Sequence, residues 1–179
     1  MRYFLTTDTH FGHTRLKQGL LDTKRPDDYE RLILWNLKAT VEKEDTIIHL
    51  GDVAFTESKK WHELFTNSIP GRKILVLGNH DQHSVSWHYD RGWDFICSSF
   101  ILRYKSQNIL FSHIPQKKTD YWDINVHGHF HNTTHRSQEP AIQALYTPQH
   151  RLLSLEWSNY RPVPLDRFLD PNFNPEKPL

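Results

Sequence analysis

Three short apolar runs, Tyr3–Thr7, Thr46–Leu50 and Ile74–Leu77, constrain the fold more than any other feature of this chain. Each has the length of a buried strand, and each stops at a polar cluster. A helix is predicted between the first two. Pro26 suits a first helical turn, and Asp27 and Asp28 put carboxylates at the positive end of the helix dipole. Tyr29, Leu32, Ile33, Asn36, Leu37 and Thr40 then follow helical spacing. Between the second and third runs, Glu57–Ser68 is predicted as a second helix, with Trp61, Leu64 and Phe65 on one face. Strand, helix, strand, helix, strand is the pattern of an α/β fold with a parallel sheet.

After Asp94 the pattern changes to short strands with turn residues between them. Phe100–Tyr104 and Ile109–Phe111 are predicted as a hairpin joined around Ser106-Gln107-Asn108. Ile124–His127, Ile142–Tyr146 and Leu152–Trp157 are further strand candidates, so a second sheet is expected. Five of the ten prolines follow Arg161. Residues 1–160 therefore read as one domain, and 161–179 as an extended tail packed on it or frayed. A chain near this size buries roughly 70% of its unfolded surface and needs no disulfides. Cys97 is the single cysteine, which excludes a disulfide framework and a thiolate zinc site and fits a reducing, cytoplasmic compartment. The polar N-terminus does not read as a signal peptide, and no apolar run is long enough to cross a membrane. Lys and Arg number 22 against 21 Asp and Glu; the resulting net charge of +1 excludes a general polyanion-binding surface.

Thirteen histidines against seven glycines is an inverted ratio that points to metal chemistry. The polar clusters at the strand ends carry it. The first strand runs into Asp8-Thr9-His10, the second into Gly51-Asp52, the third into Gly78-Asn79-His80-Asp81. Ligands of open parallel sheets bind at the carboxyl ends of the strands. The second half adds Ser112-His113 and His127-Gly128-His129-Phe130-His131, whose alternating histidines could share a direction on an extended segment. Carboxylate, imidazole and amide donors without thiolate suit hard to borderline divalent ions such as manganese, iron, zinc or nickel; manganese is the ion expected first.

Asp-x-His, Gly-Asp, Gly-Asn-His-Asp, a later His and Gly-His-x-His, in that order over residues 8–131, resemble the calcineurin-like metallophosphoesterase superfamily. The resemblance implies a four-layer αββα sandwich of two mixed β-sheets flanked by helices. It implies two divalent metal ions, one held by Asp8, His10 and His131, the other by Asn79, His113 and His129, with Asp52 between them. Two such ions roughly 3.5–4 Å apart can generate a hydroxide at neutral pH and clamp phosphate oxygens. His80 corresponds to the position that helps protonate the leaving oxygen or stabilises the transition state. Gly51-Asp52-Val53-Ala54-Phe55-Thr56 lacks the Gly-Asp-x-x-Asp-Arg-Gly extension of the superfamily's serine/threonine phosphatases, which argues against a protein substrate. The expected substrate is a small phosphate ester or nucleotide. A nuclease acting on nucleic-acid ends or single strands is the alternative, and a non-catalytic scaffold ranks last because no ligand position is lost.

Arg25 and Arg136 follow ligand segments closely and could reach substrate phosphate. Asp81 is a candidate to orient His80. His49 and His127 read as structural, and His13 as a neighbour of the ligands or a surface residue rather than a ligand. The oligomeric state is left open.

Overall fold

The protein is described as a computed structural model covering residues 1–20, 23–133 and 138–173. In chain order its elements are β1 (Tyr3–Thr6), α1 (Thr14–Gln18), α2 (Tyr29–Thr40), β2 (Thr46–His49), α3 (Ser58–Ser68), β3 (Arg72–Val76), α4 (Val85–Tyr89) and β4 (Phe95–Cys97). They continue with β5 (Ser99–Tyr104), β6 (Gln107–Ser112), β7 (Ile124–His127), α5 (Pro140–Gln143), β8 (His150–Leu152), β9 (Val163–Pro164) and α6 (Leu165–Phe168). Two mixed sheets form. The first has the order β4-β3-β2-β1-β9, parallel from β1 through β4, with β9 antiparallel to β1. The second has the order β5-β6-β7-β8, antiparallel only between β5 and β6.

Strand periodicity divides the apolar residues between two cores. Phe4, Ile47 and Leu75 face Tyr29, Ile33 and Leu37 of α2 and Phe65 of α3. Their chain neighbours Leu5, Ile48 and Val76 point the other way, into a core shared with Ile109, Phe111, Ile124 and Val126 of the second sheet. Both faces of the first sheet are thus buried, as continuous apolar strands require. Each fully buried side chain of this size stabilises by about 1.5–3 kcal/mol. The outermost layer is thinner. Over the second sheet the described contacts come from loop segments, with Gln116 N–H donating to Asn125 Oδ1 (2.8 Å) and Tyr146 Oη, just after α5, against His127 Nε2 (2.6 Å). No described helix is long and apolar enough to cross a membrane.

Register sets the site. Thr6 aligns with His49, and His49 with Leu75, so the first three strands end at one level. In the second sheet Ser112 aligns with His127 and His127 with Leu152. Every polar cluster therefore leaves its strand at the same edge.

Two strand expectations change. Ile142–Tyr146 is not a strand: Pro140 opens the short helix α5, and the segment lies on the surface without a partner to pair with. Leu152–Trp157 ends as a strand at Leu152, because β7 ends opposite it at His127; the chain then turns through 155–160. Beyond residue 160 the described chain packs on the two sheets. Val163 and Pro164 pair with Leu5 and Phe4, and Val163, Leu165 and Phe168 are buried in the inter-sheet core. Pro164 is tolerated because β9 is an edge strand, where a missing N–H breaks no ladder.

Candidate metal centre

The backbone around the strand ends is unusual. Asp8, His10, Asp52, His129 and His131 all have positive φ, between 44° and 73°. Such conformations cost about 1–3 kcal/mol each in a non-glycine residue and persist only where the surroundings impose them. Here the loops hold one another. Asp8 N–H donates to the Gly51 carbonyl (2.9 Å) and His10 N–H to that of Asp52 (3.0 Å). Gly51 itself has φ +97°, and a β-carbon there would meet the backbone of Gly78 at 2.6 Å. Only glycine fits where these two loops touch.

Two groups of side chains converge. In the first, Asp8 Oδ2 accepts from Thr7 Oγ1 (2.5 Å) and from His129 N–H (2.9 Å), which leaves Oδ1 buried and without a hydrogen-bond partner. That oxygen lies 3.8 Å from His10 Nε2 and 4.0 Å from His131 Nε2. In the second, His113 Nε2 lies 3.0 Å from Asn79 Oδ1, 3.0 Å from His129 Nδ1 and 3.4 Å from Asp52 Oδ2. Asp52 joins the groups: its Oδ2 is also 3.6 Å from His10 Nε2, while Oδ1 accepts the His80 N–H (2.8 Å).

Residues 1–172 match the family profile described as calcineurin-like phosphoesterase. The chain belongs to that family. It is 27% identical over 161 residues to the Gene 66 protein of Mycobacterium phage L5, covering 72% of this chain and 77% of the phage protein. It is 27% identical over 163 residues to the Gene 66 protein of Mycobacterium phage D29, at 75% and 80% coverage. The solved structure of a protein of unknown function from Aquifex aeolicus superposes with a TM-score of 0.73 at 28% identity, over 94% of this chain and 97% of that one.

The site of this calcineurin-like phosphoesterase suits a cation. The unpartnered Asp8 Oδ1 and the ligand atoms of His10 and His131 lie within 4.8 Å of one another, as do those of Asp52, His113 and His129. Charge points the same way. Burial opposes ionisation of Asp52, yet His113 and His10 hold it below the usual carboxylate range. Burial likewise opposes charge on His113, but the hydrogen bond to Asp52 and the two nearby carboxylates push it up to about 9. Metal-ligating histidines use one ring nitrogen and anchor the other. His113 Nδ1–H donates to the Leu50 carbonyl (2.7 Å), leaving Nε2 toward the group. His131 Nδ1–H donates to Glu156 Oε1 (3.2 Å), leaving its Nε2 toward Asp8.

Glu156 escaped the sequence reading. It sits in the turn after β8, where Leu152–Trp157 reads as a strand, and no motif flags it. Its Oε1 accepts from Arg25 Nε (2.9 Å) and Nη2 (2.7 Å), and its Oε2 from Ser154 Oγ (2.7 Å). Burial works against its ionisation, but Arg25 and His131 hold it well below the usual range. Arg25 corrects an expectation. Its side chain is wholly buried, and it donates to the Thr9 and Asp8 carbonyls (2.9 and 2.8 Å) as well as to Glu156. Its guanidinium is spent on bracing the first ligand loop, so it does not face solvent or substrate. Arg136 lies outside the described residues.

Asp81 also differs from expectation. Its Oδ2 accepts from the N–H groups of Asp52 (2.7 Å) and Gly78 (2.9 Å), and its Oδ1 from Val53 N–H (3.1 Å). It ties two ligand loops together and makes no hydrogen bond to the His80 ring. The His80 ring is exposed and set between His10 (centroids 5.3 Å) and Phe55 (5.2 Å). Its ligand atom also comes within 4.8 Å of those of His10 and Asp52. His49 is a core histidine: Gly51 N–H donates to its Nδ1 (3.1 Å), so Nε2–H meets Thr9 Oγ1 (2.9 Å), and burial pushes the ring down to about 3. His127 turns away from the site, between the Gly128 carbonyl and Tyr146. His13 stacks on Phe55 at the rim.

Replacing Glu156 by Gln leaves Arg25 buried without its counter-charge. The expected cost is about 3–5 kcal/mol in chemical denaturation, the range for breaking one partner of a buried pair. A loss below about 1 kcal/mol would be that of an exposed pair and would contradict the burial.

Proposed function

We propose that the chain is a two-metal phosphoesterase acting on phosphodiesters and phosphomonoesters of small substrates. Asp8, His10 and His131 would hold one divalent ion, Asn79, His113 and His129 the other, and Asp52 would contact both. The position of Asp52 Oδ2, 3.6 Å from His10 Nε2 and 3.4 Å from His113 Nε2, is the observation that carries this reading. Manganese is the ion we propose first, with iron, zinc or nickel as alternatives; the thiolate-free donor set admits all four. When bound, the ions would supply Lewis-acid charge for the phosphate and an activated water.

The chain's own residues do the rest. Thr7 and the His129 N–H aim the Asp8 carboxylate; Leu50 and Glu156 fix the faces that His113 and His131 present. The Asp52 Oδ1 contact places the His80 backbone beside the site while its ring stays exposed. From there the ring, in its imidazolium form, would give a proton to the departing ester oxygen and be left a neutral imidazole. The single cysteine, Cys97, fits a reducing compartment, and the cytoplasm is the proposed location.

Elemental analysis should find two divalent ions per chain, and chelator should abolish hydrolysis of bis(p-nitrophenyl) phosphate, with manganese restoring it best. Full turnover in chelator, or no transition-metal binding, would sink the reading.

A further inference from the structure

Four rings close a circuit at the mouth of the cleft. His10 meets His13 edge-on (5.8 Å), His13 stacks on Phe55 (3.9 Å, 24°), Phe55 tilts against His80 (5.2 Å), and His80 returns to His10 (5.3 Å). Phe55 is the odd member. It is 45% exposed, although it lines the same cleft as the ligand candidates and His80. His13 beneath it is buried, so the stack covers one side of the phenyl ring and leaves the rest to the cleft. The ring is held in place. Phe55 N–H donates to the Phe11 carbonyl (2.9 Å), beside the bridge that pairs Phe11 with Ala54. Leu16 and Leu20 continue the apolar lining, and Arg15 of α1 stands at the rim.

A fixed aromatic ring left in water beside a polar site is a stacking platform, and a flat unsaturated ring is what it takes. Phe55 lies next to His80 and two ring steps from His10. A group stacked there sits on the side of the proposed proton donor. A nucleotide has this shape, with a planar base joined through a sugar to a phosphate. We propose that Phe55, backed by His13, is a base-stacking shelf that makes nucleoside phosphates the preferred substrate class, an assignment that rests on the two-metal phosphoesterase reading.

The test is equilibrium binding of adenosine 5′-monophosphate and of ribose 5-phosphate to the manganese-loaded full chain. The two probes share a phosphate and differ in the base. The nucleotide should bind about tenfold more tightly, within the range of base–aromatic stacking. Phe55→Ala should bring that ratio close to one; Phe55→Trp should keep it, and Phe55→Leu, which retains bulk without a π face, should lower it. A ratio near one in the wild type, or one untouched by Phe55→Ala, overturns the shelf. Turnover of bis(p-nitrophenyl) phosphate in the same preparation separates the two claims. Turnover without base preference removes the shelf alone, whereas neither turnover nor binding of either phosphate removes both.

Discussion

Asp52→Asn should weaken both metal sites at once, whereas His10→Ala should weaken mainly one. Asp52 Oδ2 stands between the two groups, within 3.6 Å of a ring nitrogen in each. His10 Nε2 lies 3.8 Å from Asp8 Oδ1 and 3.6 Å from Asp52 Oδ2, on the side of the first group. An amide is nearly isosteric with the carboxylate but carries no charge, so the fold survives while the central anion is lost. Partners one step removed from a metal typically cost 10–100-fold in affinity, and a shared ligand should exceed about 100-fold at both sites. Titration with manganese, read as two binding steps, checks this. Equal loss of a single step in both variants would contradict a shared role for Asp52.

His80→Ala should slow esters with alkyl leaving groups by about 10²–10⁴-fold, the usual contribution of a positioned acid. A nitrophenoxide needs little protonation, so the same variant should lose far less on bis(p-nitrophenyl) phosphate. The ring is exposed and stands between His10 and Phe55, and no described carboxylate is hydrogen-bonded to it. Its removal should leave the buried ligand groups, and so metal content, in place. Measuring both substrates on both proteins decides the matter. An equal loss on each would mean that His80 binds phosphate rather than giving up a proton.

Much of the fold is visible in local pattern. Tyr3–Thr7, Thr46–Leu50 and Ile74–Leu77 are apolar on both faces because both faces of the first sheet are covered, and uninterrupted apolar runs are what such strands need. Ile124–His127 ends where its strand ends. Patterns shared by strands and other buried segments misled. Leu153 and Leu155 are buried, so Leu152–Trp157 looks like a strand, but Leu153 reaches its core from the segment just after β8 and Leu155 from the turn that follows. Burial is local information, whereas a strand also needs a partner of matching length, which local pattern cannot show.

The ordered Asp, His and Asn blocks were legible because strand ends leave a repeating mark, a polar cluster after an apolar run. Local pattern is enough to show that these blocks exist, that they fall at strand ends, and that glycine precedes Asp52, Asn79 and His129. Packing settled the rest. It brought Glu156 and Arg25, 131 positions apart, into one buried pair behind His131, and it turned Asp81 into a tie between two loops. It placed Phe55 against His13 and His80 at the mouth of the cleft. Such contacts depend on strand register and on which loop meets which, and those are set by the packing of two sheets rather than by the residues flanking each position.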